Sequence, residues 1–260
     1  MSASPQEASL SWLDTYRRNG LDQIEGWLNP GVLDVLEEVD IAQRSLGSSG
    51  GVMEIGVHQG RFFTALNGLV ADPSIPSLAI DVFDDQELNI DRSGSGNEAI
   101  FRENLRLYDR HQGSNVVVIR ADSTTLAPQD LLDRVAVRPR IVSVDGGHTP
   151  EHTISDIELA RGVMDPRGLV FVDDILHADW VGVIEGVVLY LYRRPTLWPV
   201  AIGYNKLLLA PMTLHARYQG LLKESLPVRK VVRFCGYRVL VLARRSQRSD
   251  SAPGEGRTAP

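Results

Sequence analysis

The sequence predicts an α/β fold: a mostly parallel sheet of about seven strands, with helices on both faces and an antiparallel C-terminal edge. Two observations support this fold. Five short, continuously apolar runs alternate with amphipathic segments over residues 52–192, as in parallel sheets buried on both faces. Two consecutive runs, IVSVDGGH (141–148) and GLVFVDD (168–174), end at aspartates. Right-handed crossovers bring such strand ends to one edge of the sheet, where open α/β sheets bind their ligands.

Two helices are predicted before the sheet, over residues 10–19 and 30–46, and residues 1–48 are interpreted as an N-terminal helical extension. Asn29 and Pro30 fit the N-cap and the first position of the second helix. Its apolar residues recur with the helical period, which indicates a face that packs on the sheet. These residues are Val32, Leu33, Val35, Leu36 and Val39.

Strands and helices then alternate within a predicted domain over residues 49–245. The strands are predicted at 52–56, 77–82, 115–120, 140–145 and 168–173, and the helices at 60–71, 97–110, 127–134, 151–162 and 178–192. After residue 195 the pattern changes to two longer β segments, 196–211 and 229–244, with a helix over 213–224 between them. We expect these segments to pair antiparallel at the sheet edge. Residues 246–260 are rich in Gly, Pro and Ser and are predicted to be a disordered tail.

The composition narrows the class of protein. A net charge of −6 argues against a nucleic-acid-binding surface, which needs a basic face. The lone cysteine, Cys235, excludes an internal disulfide and fits a reducing compartment. The N-terminus lacks the pattern of a signal peptide, and no apolar run approaches the ~20 residues that span a bilayer. We therefore expect a cytoplasmic protein without a membrane span.

The first predicted strand runs into a glycine-containing turn, Glu54-Ile-Gly56-Val-His-Gln-Gly60. The two glycines allow the backbone to approach a ligand where a side chain would collide. Their spacing differs from the G-x-G-x-x-G that cradles a pyrophosphate, so a nicotinamide or flavin dinucleotide is disfavoured. An ordinary tight turn explains the motif equally well.

Polar residues also end the second and third predicted strands. Asp81 can accept hydrogen bonds from both hydroxyls of a ribose, and Asp122 with Ser123 can meet the edge of an adenine. Each residue alone fits a turn or a cap. Three such features on consecutive strands predict a nucleoside ligand without a pyrophosphate.

Taken in order, E-x-G-x-x-x-G, Asp81, Asp122, VDGGH and VDD resemble the class I S-adenosylmethionine-dependent methyltransferases, whose fold is Rossmann-like. The pattern is similar to their metal-dependent O-methyltransferases, both the catechol type and those that methylate sugars of natural products. The resemblance covers about residues 50–210. It implies that Glu54, Gly56 and Gly60 contact the methionine and ribose part of the cofactor, Asp81 the ribose, and Asp122 and Ser123 the adenine.

Aspartates end the fourth and fifth predicted strands, as Asp145 and as the pair Asp173-Asp174. Two carboxylates ~4 Å apart repel by about 4 kcal/mol at an effective dielectric near 20, so three in one cleft need a cation or shifted pKa values. Oxygen ligands favour Mg²⁺, with Mn²⁺ or Ca²⁺ as competitors. The resemblance implies the same three metal ligands. The alternative is that Asp173 caps the next helix and Asp174 is solvated.

His148 follows Asp145 across two glycines that permit a tight turn over the metal. An imidazole, with an ordinary pKa of ~6.5, suits a general base near neutral pH. In the enzymes that the sequence resembles, a base lies three residues after the metal aspartate, as lysine in the catechol type and as histidine in some sugar-methylating relatives. His148 and Asp145 are therefore the predicted catalytic residues for methyl transfer to a hydroxyl. The alternative is that His148 only ligates the metal or caps a helix.

The acceptor is predicted to be a hydroxyl of a sugar, on a small molecule or a glycan, with a small phenol next. The polar segment 83–101 offers side chains for a polyhydroxylated acceptor, although a plain mobile loop is equally compatible. These side chains are Asn89, Asp91, Arg92 and Ser93. Trp27 and Trp180 are predicted to pack in the core, with pocket walls as the alternative, and Asn205-Lys206 is a further candidate for the pocket.

Two other functions stay open at this point. A non-heme metal hydroxylase would need two histidines and one carboxylate around its iron. A non-catalytic, cofactor-binding scaffold is the second alternative, and the cost of keeping a carboxylate cluster argues against it. A homodimer, through the N-terminal helices or the late β segments, is also left open.

Overall fold

The computed structural model describes residues 5–193 and 195–243. The strands are β1 (Val52–Ile55), β2 (Ser77–Asp81), β3 (Val116–Arg120), β4 (Ile141–Val144), β5 (Leu169–Val172), β6 (Leu197–Gly203), β7 (Lys206–Pro211), β8 (Val228–Phe234) and β9 (Tyr237–Leu242). The helices are α1 (Pro5–Asn19), α2 (Val32–Ser45), α3 (Arg61–Asn67), α4 (Glu98–Tyr108), α5 (Pro128–Leu132), α6 (Pro150–Val163), α7 (Val181–Tyr192) and α8 (His215–Ser225). The tail predicted at 246–260 lies outside the described residues.

The strands form one sheet in the order β3-β2-β1-β4-β5-β7-β6-β9-β8. The first five pair in parallel, with Glu54 of β1 between Ala79 of β2 and Ser143 of β4. The pairing β5–β7 is antiparallel and joins this parallel half to the C-terminal strands. The predicted mixed α/β sheet with an antiparallel C-terminal edge is thus confirmed.

Within residues 5–193 and 195–243 the sheet has nine strands rather than about seven, because each late β segment folds back on itself. The chain turns between β6 and β7 at Tyr204 and Asn205, both with positive φ, as in the two-residue turns that match the twist of a hairpin. Cys235 and Gly236 make the corresponding turn between β8 and β9. The two hairpins meet through β6 and β9, which run parallel, so the expected antiparallel pairing of the two segments is wrong at their junction.

Both faces of the parallel half are buried, as the apolar runs predict. In β5, Phe171 packs into the apolar layer that contains α2 and α3, whereas Val170 and Val172 pack into the layer with α6 and α7. The predicted apolar face of α2 is fully buried. Its N-cap is Gly31 and not Asn29, whose side chain instead accepts a hydrogen bond from the Gly31 N–H. None of the described helices is both long and apolar enough to cross a membrane.

Asp156, on α6, is fully buried, and neither of its carboxyl oxygens has a hydrogen-bond partner among the described residues. It lies beneath Gly146, where an added Cβ would stand 2.5 Å from its Oδ2. Burial raises the pKa of Asp156 to about 7. The folded state therefore binds this proton more tightly than the unfolded chain, and stability falls as the pH rises from about 4 to about 7.

We expect Asp156→Asn to remove this loss of stability. At pH 8 the variant should be more stable than the wild type by on the order of 2 kcal/mol, and at pH 4 the difference should nearly vanish. Chemical denaturation at both pH values measures it. Glu151→Gln, an exposed acid on the same helix, is the matched control and should show no such dependence. A pH-independent difference for Asp156→Asn would contradict the expectation.

Candidate active site

A cavity of about 630 Å³ lies at the carboxyl ends of the parallel strands. This volume is in the range of sites that enclose small molecules and cofactors. Its walls include every predicted site residue except Gly60: Glu54, Gly56, Asp81, Asp122, Ser123, Asp145, His148, Asp173 and Asp174. The strand ends therefore converge on one cavity, as expected for this edge of an open α/β sheet.

The two predicted glycines differ in their surroundings. Gly56 has a φ of +82°, and a Cβ there would lie 1.7 Å from the Asp145 carbonyl oxygen, so the close approach of β1 to β4 requires glycine. Gly60, at the start of α3, has a φ of +94° and packs against Phe101. A position on the cavity wall is thus found for Gly56, whereas Gly60 serves the turn and the packing behind it.

Glu54 is a buried carboxyl at the end of β1, 1% exposed. Burial raises its pKa to about 8, although Lys206 acts in the opposite direction. Its Oε2 has no hydrogen-bond partner in the described part of the chain. A buried acceptor of this kind on a cavity wall suits a ligand that carries an ammonium group.

Asp81 is held by backbone N–H groups on both sides. Its Oδ2 accepts a hydrogen bond from His58 N (2.7 Å) and its Oδ1 from Phe83 N (2.6 Å). Burial nevertheless leaves the pKa of Asp81 raised. Each oxygen keeps a second lone pair, so the fixed carboxylate can still accept hydrogen bonds from a diol.

Asp122 caps a turn and also lies on the cavity wall. Its Oδ1 accepts hydrogen bonds from the N–H (2.9 Å) and the hydroxyl (2.7 Å) of Thr124, which caps a short 3₁₀ turn over Ser123–Thr125. It also lines the cavity beside the buried Ser123. The cap fixes the carboxylate at the end of β3 without removing it from the cavity.

Asp145, His148 and Asp174 lie close together in the cavity. One possible ligand atom from each lies within 4.8 Å of the other two. Asp145 is partly exposed to the cavity, yet surrounding protein raises the pKa of its carboxyl well above the usual range, and repulsion from Asp173 adds to this. Such a carboxyl is stable either protonated or beside a cation.

Asp173 and Asp174, predicted as a pair of metal ligands, contact different residues at the β6–β7 hairpin. Asn205 Nδ2 donates to Asp174 Oδ1 (2.6 Å), and the ammonium of Lys206 pairs with Asp173. Lys206 is 1% exposed and lies over the Phe62 ring, with its Nζ 4.3 Å from the ring centre. Burial lowers the pKa of Lys206, but attraction to Asp173 and Asp145 raises it on balance, so the lysine is charged.

His148 lies between two carboxylates. Its Nδ1 is 2.7 Å from Asp91 Oδ2, and its Nε2 is 3.1 Å from Asp174 Oδ2. The ring also stacks on Trp180, with ring centres 4.4 Å apart. Burial lowers the pKa of His148, but the hydrogen bonds that its ring donates to Asp174 and Asp91 outweigh this effect and raise it to about 10. With both carboxylates in place, the imidazole is therefore protonated at neutral pH.

The residues at this cluster fit a divalent cation. Two carboxylates and an imidazole nitrogen lie close enough to coordinate one ion together, and burial with repulsion from Asp173 raises the pKa of Asp145, so a further positive charge would stabilise its ionised form. Asp173, the remaining predicted ligand, faces Lys206 instead. Imidazole nitrogen is a good ligand for Mn²⁺ or Fe²⁺, whereas an all-oxygen set suits Mg²⁺ better.

The cavity wall also contains residues for which the sequence predicted a different place or contact. Trp27 is 77% exposed at the cavity wall. The prediction that it packs in the core is therefore wrong. Asp91 uses its carboxylate on His148 instead of leaving it free for an acceptor. Lys206 was only a general candidate for the pocket, and its pairing with Asp173 was missed. A single lysine opening the apolar strand KLLLAP is the signal that points to a buried charge.

Comparison with known proteins agrees with this geometry. A family model described as "Methyltransferase domain" matches residues 53–175. No curated protein sequence matches the chain significantly.

Solved structures with the same fold include three O-methyltransferases. NovP has a TM-score of 0.60 and 14% identity, over 78% of this chain and 99% of its own. The enzyme from Bacillus cereus in complex with SAH has a TM-score of 0.52 and 13% identity, over 80% and 90%. TomG from Streptomyces achromogenes, in complex with SAM, has a TM-score of 0.50 and 16% identity, over 81% and 90%. At these identities the likeness shows the fold.

The residues that match this family model, 53–175, contain most of the parallel half of the sheet and many of the cavity-lining residues. The fold predicted from the strand-end motifs is that of solved O-methyltransferases, and the match to a methyltransferase domain supports the resemblance to class I S-adenosylmethionine-dependent methyltransferases.

Proposed function

We propose that this chain is a metal-assisted O-methyltransferase that methylates a hydroxyl of a sugar or of another small polyhydroxylated acceptor. The observation that carries the proposal is the convergence of His148, Asp145 and Asp174 in the cavity that also contains Glu54 and Asp81. A histidine and paired carboxylates beside a nucleoside-type site suit the activation of a hydroxyl.

S-adenosylmethionine, when bound, supplies an electrophilic methyl group. In this proposal Glu54 accepts a hydrogen bond from the ammonium of its methionine part, which explains the unpartnered Oε2. Asp81, held by two backbone N–H groups, accepts the ribose hydroxyls. Asp122 and Ser123 contact the adenine at the end of β3.

A divalent cation, when bound, supplies Lewis-acid activation of the acceptor hydroxyl. Asp145 and Asp174 are its proposed ligands, and Asp173 keeps its charge paired with Lys206 at the edge of the same cluster. Mg²⁺ or Mn²⁺ fits these carboxylate ligands.

His148 is the proposed general base, and Nε2 is the nitrogen that accepts the proton of the acceptor hydroxyl. It can do so only when Asp174 no longer holds its proton, because the two carboxylates keep the imidazole charged. A cation held by Asp174 would occupy this carboxylate and leave Nε2 free to accept a proton. The base is therefore expected to work only in the metal-loaded protein, while stacking on Trp180 holds the ring in place.

The hydroxylase alternative fits the site less well. A non-heme iron centre of that type uses two histidines and one carboxylate. The cluster of possible ligands found among the described residues contains one histidine and two carboxylates. A scaffold without activity would have no use for a buried base between carboxylates.

Methyl transfer from labelled S-adenosylmethionine to a panel of glycosides and catechols tests the proposal. We expect transfer with Mg²⁺ or Mn²⁺ and a loss of at least about 100-fold after exhaustive chelation, restored by adding the metal back. Full activity in the chelated protein would contradict the proposed role of a metal in methyl transfer. Transfer to catechols but to none of the glycosides would contradict the sugar acceptor, and oxygen consumption with bound iron would favour the hydroxylase.

A further inference from the structure

The segment between β2 and α4 lines the cavity and contacts the turn after β4 through Asp91. One carboxylate oxygen, Oδ2, accepts hydrogen bonds from His148 N (2.6 Å) and lies 2.7 Å from His148 Nδ1. The other, Oδ1, accepts one from Ser93 N (3.0 Å). Asp91 thus contacts both the backbone and the ring of His148, the candidate base, which lies 57 positions later in the chain.

We propose that Asp91 is a positioning residue, which orients His148 toward the acceptor and does so only when the segment over residues 83–97 covers the cavity. The inference rests on the proposed function of His148 as the base. It assigns Asp91 a role distinct from binding metal or acceptor.

The geometry fixes which nitrogen faces the reaction. Because Nδ1 is engaged by Asp91, a His148 that has lost one proton keeps the other on Nδ1, and Nε2 becomes the free acceptor. The stacking contact with Trp180 restricts rotation of the ring but does not select a nitrogen. Asp91 supplies that selection, in the manner of a carboxylate that orients a catalytic histidine.

The same contact links the base to the covering segment. The segment is tied within itself, since Asn89 Nδ2 donates to the carbonyl oxygens of Ser93 and Gly94. Its residues Asn89, Ile90, Arg92 and Ser93 line the cavity around Asp91. Movement of this segment away from the cavity would withdraw Asp91 from His148, so the base is fully oriented only over an enclosed acceptor.

Asp91→Asn and Asp91→Ala test the proposal, with Asp85→Asn as the matched control, an exposed carboxylate of the same segment. We expect kcat with metal to fall about 10–100-fold in both Asp91 variants, as for partners that orient a functional histidine. The Kd for S-adenosylmethionine should stay within about twofold, because the cofactor residues are untouched. Asp85→Asn should match the wild type in both measurements.

Hydrogen exchange at the His148 backbone amide supplies a readout independent of activity. In the wild type this N–H is bound to Asp91, and we expect exchange to speed up at least about 10-fold in Asp91→Ala and to stay unchanged in Asp85→Asn. Unchanged exchange in Asp91→Ala, or full kcat in both Asp91 variants, would overturn the proposal. A wild type that methylates no acceptor would instead refute the proposed function, and the exchange measurement would still decide whether Asp91 holds His148.

Discussion

Replacing His148 by alanine is expected to lower kcat about 10²–10⁴-fold, the usual contribution of a general base. The histidine lies between Asp91 and Asp174 in the cavity, with its ring fixed on Trp180, and no second imidazole occupies that place in the described cluster. Steady-state kinetics with saturating metal and cofactor measures the loss. The Kd for S-adenosylmethionine should change little, because none of its proposed contacts is removed.

The same variant separates a base from a metal ligand. If His148 is the base, Mn²⁺ affinity measured by electron paramagnetic resonance should stay within about threefold in His148→Ala. A large loss of affinity together with the loss of kcat would instead make the imidazole a ligand. His177→Ala is the matched control, since its side chain is 42% exposed, and it should keep near-normal kcat. Near-normal kcat in His148→Ala would refute the proposal that His148 is the general base.

The strand-end residues could be predicted because their signal is local. A continuous apolar run that stops at an aspartate fixes both the strand and the edge at which its acid lies. Asp145 and Asp174 therefore reached the same cavity in the structure as in the prediction. Asp81 and Asp122 did so for the same reason, and their backbone contacts add roles that the sequence also allowed.

What could not be predicted depends on pairs distant along the chain. Asp91 meets His148 across 57 residues, and no local pattern distinguishes this acid from its polar neighbours. The hairpin at Tyr204-Asn205 lacks the glycine that usually marks such turns, so two strands were taken for one. That same turn brings Lys206 to Asp173. Because the turn was not predicted, the different partners of Asp173 and Asp174 could not be predicted either.

Lys206→Met is expected to destabilise the protein by about 3–5 kcal/mol, because it leaves Asp173 without its buried partner. Asp145 and Glu54 lie close enough to interact electrostatically with the same ammonium, so the variant concentrates negative charge in one cavity. Denaturation at pH 7 in the presence of a chelator measures the effect without a metal that could replace the lysine. Lys223→Met, at an exposed position on α8, should change stability by less than about 1 kcal/mol.

The double variant Lys206→Met/Asp173→Asn decides whether the loss comes from an uncompensated charge. A neutral amide next to methionine leaves no unpaired ion, so most of the lost stability should return. If the double variant is as unstable as Lys206→Met alone, the lysine contributes mainly by packing on Phe62. Recovery would mean that Lys206 acts as a built-in cation for Asp173, which leaves Asp145 and Asp174 as the acids that still need an external one.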